Sequence, residues 1–532
     1  MNPSPQADRR RLLQLAAAGA GALWLPRSAW AQRHWVADPF TLGVASGSPE
    51  PESVVLWTRL MGAGNSRLPG GDTITVRWEV AHDARFQRLA RSGEALAQPG
   101  LAHSVHAEVQ GLEPGRWYFY RFISGDAISP TGRTRTLPAP GAEVARLRLA
   151  YASCQRWDHG YFSAWRHMHA EEPDAVLFLG DYIYESSSPK DAVRVPPGGW
   201  VTTLEGYRRR HALHKSDAGL QAMHAACPWL LTWDDHEVQN DYAGTTPGFG
   251  GPPDGPGGFA ARRAAGYQAY YEHMPLRASV LTKAVQGLAG GAEMRIYSRA
   301  RFGRLATLHL LDARQYKDAQ VCTPDGRLGS AYVDPAGCPA WHDPQRSMLG
   351  AAQERWLEAG LAQANGAGQG GWTVIGQQSL FGMRDARPGP DEFQWNDGWD
   401  GYTAARSRLT AALQRSQAPN PVLLGGDVHE NWVGHVKADY RRPDSAVVGV
   451  EFCGTSLTSR ANGAASLPRR LAENPHFVFA DAQHRGYGIA DFTPGQLTTT
   501  LRVVDDVTQP ETQVSTLARF VVQAGRPQLE RA

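Results

Sequence analysis

Net charge, cysteine and long apolar runs are all scarce in this sequence. Five cysteines among 532 residues are too few for a disulfide framework, and the odd number leaves at least one thiol unpaired. A formal charge of +2 implies neither a nucleic-acid-binding surface nor attraction to an anionic membrane. Beyond the N-terminus, no segment reaches the roughly 20 apolar residues of a spanning helix. The hydrophobic content of 42% instead predicts a soluble protein with one large core and a smaller domain.

The first 31 residues have the three-part pattern of an export signal. Arginines at positions 9–11 precede leucines and an alanine-rich apolar segment, and a small-residue cleavage pattern ends at Ala31. Arginines placed in this way favour the twin-arginine (Tat) route. An uncleaved membrane anchor is the alternative, but Pro26 and Arg27 interrupt the segment, which is shorter than the roughly 20 residues of a span. We therefore predict a Tat-type signal peptide at residues 1–31, export by the Tat machinery, and a periplasmic or secreted mature protein.

The cysteines divide into three groups by sequence context. Cys322 and Cys338 lie in a polar loop and could form a disulfide in an oxidising compartment. Cys227 and Cys453 lie in apolar segments, where free cysteines are usually buried. Cys154 directly follows a predicted strand and is therefore a candidate for chemistry.

Short segments with alternating apolar and polar residues predict an N-terminal β-sandwich at residues 38–139. The predicted strands are residues 53–58, 74–80, 104–109 and 117–122. Glycine, proline and aspartate between the runs are typical of a sandwich of roughly 100 residues. Residues 112–118 also resemble the turn into a late strand of a fibronectin-type module. No group in this region converges on chemistry, so we expect its role to be structural.

From residue 145 to residue 520 the pattern changes to nearly continuous apolar strands separated by helix-length segments. The predicted strands are residues 147–152, 175–179, 229–233, 305–311, 372–375 and 421–424, and the predicted helices include residues 162–172 and 353–361. Such strands are typical of a sheet covered on both faces. The pattern therefore predicts an α/β catalytic domain. Glycine and proline dominate residues 244–258, which are predicted to form an irregular loop with a functional or mobile role.

Polar residues follow the predicted strands at their carboxyl ends, where ligands bind in open α/β sheets. In chain order these groups are Ser153-Cys154-Gln155, Gly180-Asp181 with Tyr184, Asp234-Asp235-His236 with Asn240, Asp312-Ala313-Arg314, Gly376-Gln377-Gln378 and Gly426-Asp427-Val428-His429. Aspartates gathered at one edge require cations, because a desolvated carboxylate without a partner costs several kcal/mol. Oxygen donors suit calcium or a similar hard ion, whereas thiolate, imidazole and phenolate suit iron. A mixed cation cluster is therefore expected.

Two of these groups have the form of metallophosphoesterase motifs. Gly-Asp-x-x-Tyr at Asp181 and Tyr184, and Gly-Asp-Val-His at Asp427 and His429, resemble the purple-acid-phosphatase branch. Further segments resemble the alkaline phosphatase D (PhoD-like) family more specifically, namely residues 42–49, 55–60, 152–155, 233–240, 377–381 and 451–456. The resemblance implies an α/β metallophosphoesterase sandwich, with mixed sheets flanked by helices, preceded by a small all-β fibronectin-like domain.

The same resemblance implies a site that holds trivalent iron (Fe³⁺) with calcium (Ca²⁺) beside it. Carried onto this sequence, the iron ligands are Cys154, the bridging Asp181, Tyr184 and His429. Asp427 would then serve the calcium side. Asp235 aligns with the usual asparagine ligand of metallophosphoesterases, and Asn240 offers an amide five residues later, so both stay open as ligands.

The sequence departs from the wider superfamily in two places. The usual Asp-x-His after the first strand is replaced by Ser153-Cys154-Gln155, and Gln377 or Gln378 stands where an isolated histidine ligand is expected. These departures favour the alkaline phosphatase D variant over the standard two-metal assignment.

Each candidate also has an ordinary structural interpretation when it is considered alone. Asp181 has the form of a helix N-cap, Tyr184 of a packed aromatic residue, and Cys154 of a core thiol. His236 could merely hold neighbouring carboxylates, and His429 could simply end a strand. Their joint occurrence after successive strands favours a site.

The activity implied is hydrolysis of phosphate monoesters, diesters or both, with a phosphate ester as the partner. Water activated by the cations would attack phosphorus in line. Asp181 would bridge the ions and His236 would stabilise the phosphoryl group or assist the leaving alkoxide. Asp181, Asp235 and His236 are therefore the candidate catalytic residues.

Three questions stay open at this level. Trp157, Arg262, Arg314 and the loop at residues 244–258 could shape the substrate pocket, although arginines more often form surface ion pairs. A phosphodiesterase or phospholipase D-like enzyme is the alternative activity. A noncatalytic envelope binding protein with a structural metal is a further alternative, but the glycine-flanked acidic loops favour an open site. We expect a monomer.

Overall fold

The computed structural model describes residues 34–66, 68, 71–187, 190–281, 293–366, 371–461 and 463–532. The predicted export signal at residues 1–31 lies outside these residues. Within the described part of the chain, no helix is both long enough and apolar enough to cross a membrane.

Strands dominate the described residues. They are β1 (Val44–Glu50), β2 (Ser53–Arg59), β3 (Ile74–Ala81), β4 (Leu89–Ala97), β5 (Ser104–Gln110), β6 (Trp117–Ser124), β7 (Ala127–Ile128), β8 (Gly132–Arg135), β9 (Leu147–Ala152), β10 (Ala175–Leu179), β11 (Trp229–Thr232), β12 (Ser298–Phe302), β13 (Ala306–Leu310), β14 (Tyr332–Val333), β15 (Trp372–Gly376), β16 (Gln394–Trp395), β17 (Pro421–Gly425), β18 (Asn431–Lys437), β19 (Val447–Cys453), β20 (Phe477–Asp481), β21 (Arg485–Phe492), β22 (Gln496–Val504), β23 (Val514–Gln523) and β24 (Glu530–Arg531).

The α-helices lie between the strands of the catalytic domain and near its C-terminal part. They are α1 (Ala164–Ala170), α2 (Leu204–Lys215), α3 (Ala218–Ala226), α4 (Gly258–His273), α5 (Gly350–Gly366), α6 (Thr403–Ser416) and α7 (Leu467–Glu473).

Two mixed sheets form the centre of the molecule. The first has the strand order β24-β23-β22-β21-β9-β10-β11-β1-β2-β5, and its strands β9, β10 and β11 are parallel. The second has the order β12-β13-β15-β17-β19-β18-β20, and β13, β15, β17 and β19 are parallel. The segment from residue 477 onward supplies β20 to the second sheet and β21 to β24 to the first, so it completes both sheets.

The two sheets pack face to face, and the helices cover their outer faces. In β10, Leu177 and Leu179 point into the core between the sheets, whereas Val176 and Phe178 point to the layer of α1, α3 and α4. In the second sheet, Leu424 of β17 points inward and the preceding residue packs against α5 and α6. Burial on both faces explains why these strands are apolar at nearly every position.

The N-terminal region is an all-β sandwich, as its alternating pattern predicted. One layer is the sheet β4-β3-β6-β7, to which β8 is added through β6. The other layer consists of β1, β2 and β5, and the two layers enclose a common core that includes Val54, Val76 and Tyr120. Because β1 also pairs with β11 at Gly47 and Trp229, this second layer continues the first central sheet. The sandwich is therefore fused to the catalytic domain by backbone hydrogen bonds.

Predictions for four of the cysteines are confirmed. Cys322 and Cys338 form a disulfide with a Cα–Cα distance of 6.0 Å. Cys227 and Cys453 are free and buried.

Candidate metal centre

Four of the predicted ligands occupy an unusual backbone conformation at strand ends. The φ angles are 60° at Cys154, 56° at Asp181, 68° at Asp427 and 58° at His429. Left-handed φ values are uncommon for residues other than glycine, because the Cβ atom approaches the carbonyl oxygen and costs roughly 1–2 kcal/mol. Strained positions of this kind cluster at functional sites. Here they turn the chain sharply after β9, β10 and β17, so that side chains from separate strands converge.

Glycine comes before both of the strand-end aspartates in the Gly-Asp motifs. A Cβ atom at Gly180, whose φ is 107°, would overlap the side chain of Asp234, and one at Gly426 would overlap the hydroxyl of Ser153. Glycine is therefore required at both positions, because the neighbouring loop approaches the backbone directly.

The first group of candidate ligands combines three chemical types. One ligand atom each from Cys154, Asp181 and His429 lies within 4.8 Å of the others. The hydroxyl of Tyr184 donates a hydrogen bond of 2.8 Å to Oδ2 of Asp181 and lies 3.3 Å from Nε2 of His429. Nδ1 of His429 donates to the carbonyl oxygen of Arg460 at 2.9 Å, which leaves Nε2 directed to the group. Thiol, carboxylate, phenol and imidazole therefore meet at one point.

The second group contains only carboxylates and an imidazole. Ligand atoms of Asp181, Asp235 and His236 also lie within 4.8 Å of one another. Nδ1 of His236 donates a 2.7 Å hydrogen bond to Glu185, so its Nε2 is the free ring nitrogen. Asp181 belongs to both groups and is placed as a bridging ligand would be.

Three buried carboxylate oxygens have no hydrogen-bond partner among the described residues. These are Oδ1 of Asp181, Oδ2 of Asp234 and Oδ1 of Asp235. Burial raises the pKa of Asp181 well above its usual range, and the charges of Asp235 and Asp234 raise it further. Unpaired carboxylate oxygens beside a thiol, a phenol and an imidazole are costly without a cation and are ordinary metal ligands with one. The residues present therefore fit a metal centre.

Asp427 and Asn240 lie at the same cavity but outside the two groups. Asp427 accepts a hydrogen bond of 2.8 Å from the Ser379 hydroxyl, and burial raises the pKa of its carboxyl to about 6. The backbone N–H of Asn240 donates to Glu185 at 2.9 Å, and Asn240 is one of the residues that line the cavity. The cavity has a volume of about 800 Å³ and is also lined by Asp181, Asp235, His236 and His429.

A third acidic group lies beside the second and was not predicted from the sequence. It consists of Asp235, Asp241 and Asp397. Asp397 accepts hydrogen bonds from Lys317 at 2.6 Å and from Arg314 at 3.0 Å, and Asp241 accepts one of 2.5 Å from Ser330. The cationic side chains of Arg314 and Lys317 already balance much of the negative charge of this group. The group extends the acidic site towards the protein interior.

Arg314, Arg262 and Trp157 do not line the cavity, which corrects their interpretation as pocket residues. Arg314 is 1% exposed and forms ion pairs with Asp234, Asp235 and Asp397 behind the site. Arg262 is buried and bonds the hydroxyl of Tyr207 at 3.0 Å. The indole of Trp157 instead stacks with Arg194, whose guanidinium carbon lies 3.5 Å from the ring centre. The loop at residues 244–258 is irregular as predicted, but its residues are absent from the cavity wall.

Gln377 and Gln378, which stand where an isolated histidine ligand is expected, bind other protein groups instead of joining the two ligand groups. Gln378 donates to the carbonyl oxygens of Trp233 and Leu311 at 2.7 and 3.1 Å, and it thereby joins the ends of β11 and β13. Oε1 of Gln377 accepts hydrogen bonds from Trp399 and from the backbone of Ser379, both at 2.9 Å. One glutamine clamps the two sheets together, and the other positions the serine that binds Asp427.

Several residues that position the candidate ligands escaped sequence reasoning. Ser459 donates a 2.6 Å hydrogen bond to the Tyr184 hydroxyl. Glu237 accepts hydrogen bonds from the backbone of Asp181 and Asp234 at 3.2 and 2.9 Å. Cys453 donates to the carbonyl oxygen of Gly426 at 3.2 Å, which makes it a support for the second Gly-Asp turn rather than a ligand. The one sign of these supporting residues in the sequence was the acidic residue Glu185, which directly follows the candidate ligand Tyr184.

The wall of the cavity around the metal centre is aromatic and basic. Its members outside the two ligand groups include Tyr332, Phe393, Trp395, Arg384, Arg387, Arg460 and Arg470. Their positions depend on tertiary packing, and the alternation of aromatic and polar residues at 393–395 was the only sign in the sequence.

Comparison with known proteins agrees with this geometry over nearly the whole chain. The family model described as PhoD-like phosphatase matches residues 149–501, and the model of the PhoD-like phosphatase N-terminal domain matches residues 27–138. The chain is 41% identical over 544 residues to alkaline phosphatase D of Bacillus subtilis (strain 168), covering 98% of this chain and 89% of the relative. A solved structure described as "Structure of PhoD" matches with a TM-score of 0.85 and 41% identity, covering 94% of this chain and 93% of that chain.

The sandwich of mixed sheets and the extent of these matches define a phosphoric ester hydrolase of the metallophosphoesterase type. The predicted fold and enzyme class are thereby confirmed. The chain belongs to the PhoD-like phosphatase family.

Proposed function

We propose that this chain is an exported, metal-dependent phosphoesterase that hydrolyses phosphate monoesters, diesters or both at the centre described above. The observation that carries the proposal is the position of Asp181 in two adjoining ligand groups, one with Cys154 and His429 and one with Asp235 and His236. A shared carboxylate is the arrangement expected for two cations that act on one phosphoryl group.

The first group suits Fe³⁺, with Cys154, Asp181, Tyr184 and His429 as its ligands. Burial raises the pKa of both the Cys154 thiol and the Tyr184 phenol well above their usual ranges, and the charge of Asp181 adds to the effect. These groups would therefore lose their protons only when a strongly charged ion binds, and thiolate and phenolate are donors that iron accepts.

The second group suits a hard ion such as Ca²⁺. Its carboxylates are Asp181 and Asp235, with the oxygens of Asn240 and Asp427 on the same cavity wall. Calcium takes six to eight oxygen ligands with flexible geometry, so both Asp235 and Asn240 can contribute.

When bound, such ions activate water and neutralise charge on the phosphoryl oxygens. The chain supplies the remaining functions. Asp181 and Asp235 hold the ions in fixed positions. Although burial lowers the pKa of His236, the carboxylate of Glu185, which is not a candidate ligand, raises it. A protonated His236 can donate from Nε2 to a phosphoryl oxygen or to the leaving alkoxide.

Substitution of the shared carboxylate tests this proposal. Asp181→Asn keeps the size of the side chain but removes its charge, so we expect loss of bound metal and a fall of more than about 100-fold in aryl phosphate hydrolysis. Elemental analysis of the parent protein, purified from an exporting host, is expected to find iron together with calcium. Zinc or manganese in the parent would overturn the metal assignment, and an Asp181→Asn variant as active as the parent would overturn the proposed site.

Diester hydrolysis has a specific observation in its favour. The cavity of about 800 Å³ is much larger than a phosphate group, and beside its aromatic wall it has room for the two organic substituents of a diester. Rates on aryl phosphate and on bis-aryl phosphate separate the two activities.

Export by the Tat route remains part of the proposal. The Cys322–Cys338 disulfide supports an oxidising compartment, such as the periplasm or the medium. A monomer as the working form is also part of the proposal. Replacement of Arg9 and Arg10 by lysine is expected to retain the protein inside the cell, and unchanged export would contradict the route.

A further inference from the structure

A small two-stranded sheet presents three aromatic side chains to the catalytic cavity. In this sheet, β14 and β16 pair so that Tyr332 lies opposite Trp395, and their ring centres are 4.8 Å apart. Phe393 directly precedes β16 in the chain. Tyr332, Phe393 and Trp395 all line the cavity, and Tyr332 is 51% exposed. We call these three residues the aromatic platform.

The platform is rigidly supported from behind. The alternate residues Val333 and Gln394 are buried, and Val333 packs with Cys338 and Trp341 in a separate small core. The Cys322–Cys338 disulfide closes the segment that carries Tyr332.

A single asparagine joins the two halves of the platform. Asn396 accepts a 2.7 Å hydrogen bond from the backbone of Ala331 through its side chain, and it donates to the carbonyl oxygen of Val321 at 2.9 Å. A backbone held in this way needs little ordering when a ligand arrives, which favours binding.

The guanidinium group of Arg387 adjoins the platform. The guanidinium carbon of Arg387 lies 3.5 Å from the centre of the Phe393 ring. Among the described residues, no carboxylate forms an ion pair with Arg387. By contrast, Arg384 and Arg470 on the same cavity wall are both paired with Glu430. The charge of Arg387 is thus available to an anionic ligand in the cavity.

We propose that the aromatic platform binds a ring-bearing substituent of a phosphodiester substrate, with Arg387 pairing with an anionic oxygen of the same molecule. The inference rests on the proposed function, because the metal centre supplies the site of ester cleavage. It adds the class of substrate: a diester with an aryl or nucleoside group that stacks on Tyr332 and Trp395. Rings stack on such side chains because flat apolar surfaces exclude water and their electrostatic fields are complementary.

Inhibition by slowly hydrolysed diesters tests the inference without depending on the leaving group. Diphenyl phosphate and dibutyl phosphate are both monoanions with two apolar substituents, but only the first carries rings. Thymidine 5′-methyl phosphate is included as a diester that carries a nucleoside. Inhibition constants are measured against methyl p-nitrophenyl phosphate with the metal-loaded full chain. We expect the parent to bind diphenyl phosphate more tightly than dibutyl phosphate. We also expect Tyr332→Ala and Trp395→Ala to reduce this preference by about 3- to 10-fold.

Trp200→Ala is the matched control, because Trp200 is an exposed aromatic residue outside the cavity wall. It is expected to leave the preference unchanged. Arg387→Gln is expected to weaken both inhibitors by about 3- to 10-fold while keeping their ratio, because a charge-assisted contact contributes to either anion. If neither Tyr332→Ala nor Trp395→Ala changes the preference, the inference is overturned. If the parent hydrolyses an aryl phosphate monoester but not methyl p-nitrophenyl phosphate, the inference is also overturned. If the parent hydrolyses neither ester, the proposed function fails instead. If Tyr332→Ala and Trp395→Ala weaken inhibition by thymidine 5′-methyl phosphate alone, the platform is assigned to nucleosides. If they weaken inhibition by diphenyl phosphate alone, it is assigned to aryl groups.

Discussion

Glu185 accepts a hydrogen bond of 2.7 Å from Nδ1 of His236, and its other oxygen accepts the backbone N–H of Asn240 at 2.9 Å. Glu185 itself is fully buried. One carboxylate therefore fixes the ring orientation of the candidate acid and the backbone of a candidate ligand. A hydrogen bond to the far nitrogen of an imidazole sets its tautomer and its basicity.

Glu185→Gln is expected to lower kcat by about 10- to 100-fold, because His236 loses the charge that keeps it protonated and oriented. If His236 assists the leaving alkoxide, the loss is greater for aliphatic esters than for nitrophenyl esters, whose leaving groups need no proton. Hydrolysis of both ester types by parent and variant, with metal content measured in parallel, checks this. An equal loss on both esters would assign His236 to binding the phosphoryl group.

Visible spectroscopy tests the donors of the first ligand group. Thiolate and phenolate bound to ferric iron absorb visible light, so Cys154→Ser and Tyr184→Phe are each expected to change the absorption of the purified protein. Activity is expected to fall at least about 10-fold in each variant. Cys453→Ser is the matched control, since Cys453 is equally buried but donates only to the carbonyl oxygen of Gly426. A spectrum altered by Cys453→Ser and unaffected by Cys154→Ser would reverse the assignment.

The sequence pattern was most informative where local burial decides the structure. Residues 147–152 and 175–179 were predicted as strands with the bounds that β9 and β10 have, because strands buried on both faces are apolar throughout. β4 was missed, since most of its residues are exposed or half-buried and the apolar alternation is weak. The pairing of β1 with β11 was also missed, because periodicity reveals a strand but not its partner.

The candidate ligands could be located from sequence because they directly follow such apolar strands. Roles that depend on distant contacts could not be read in this way. Arg314 stands after β13 like a site residue, yet its guanidinium turns inward to three carboxylates. Gln378 occupies a ligand-like position but binds the backbone of two other strand ends. The aromatic platform comes from segments far apart in the chain, so no local pattern marks it.

Arg314→Met is expected to destabilise the fold by about 3–5 kcal/mol, because it leaves the buried carboxylates of Asp234 and Asp397 without their charge partner. The change in the midpoint of chemical unfolding measures this loss. Arg415→Met is the control, because Arg415 and Glu358 form an ion pair on the surface. That pair is expected to contribute less than about 1 kcal/mol. Equal effects of the two substitutions would show that the buried network is dispensable.

His309 is expected to make stability depend on pH below about 6.5. It is buried in β13 and accepts a hydrogen bond of 3.2 Å from Arg299. Burial lowers the pKa of His309 to about 3, and the charge of Arg299 lowers it further. Between this value and the unfolded pKa of about 6.5, the unfolded chain binds one more proton than the folded chain. The stability that the fold gains by keeping His309 neutral is therefore fully present above pH 6.5, and it is lost as the pH falls towards 3.

The variant His309→Gln keeps an acceptor for Arg299 but cannot titrate. Its unfolding free energy is expected to fall less steeply than that of the parent between pH 6 and pH 4, by about 1.4 kcal/mol per pH unit. Chemical unfolding of both proteins across this range measures the difference. Parallel curves would mean that His309 is not kept neutral by the fold.

The Cys322–Cys338 disulfide is expected to matter more for ligand selection than for the catalytic centre. Its closed loop of about 15 residues predicts a stabilisation of about 3 kcal/mol. Replacement of both cysteines by alanine is therefore expected to lower the unfolding midpoint and to loosen the segment that carries Tyr332. The preference for diphenyl over dibutyl phosphate should fall, while metal content stays at the level of the parent, because no candidate ligand lies within the closed loop. Loss of metal together with loss of this preference would show that the loop supports the metal centre directly. An unchanged preference would show that the platform is held by Asn396 and its neighbours alone.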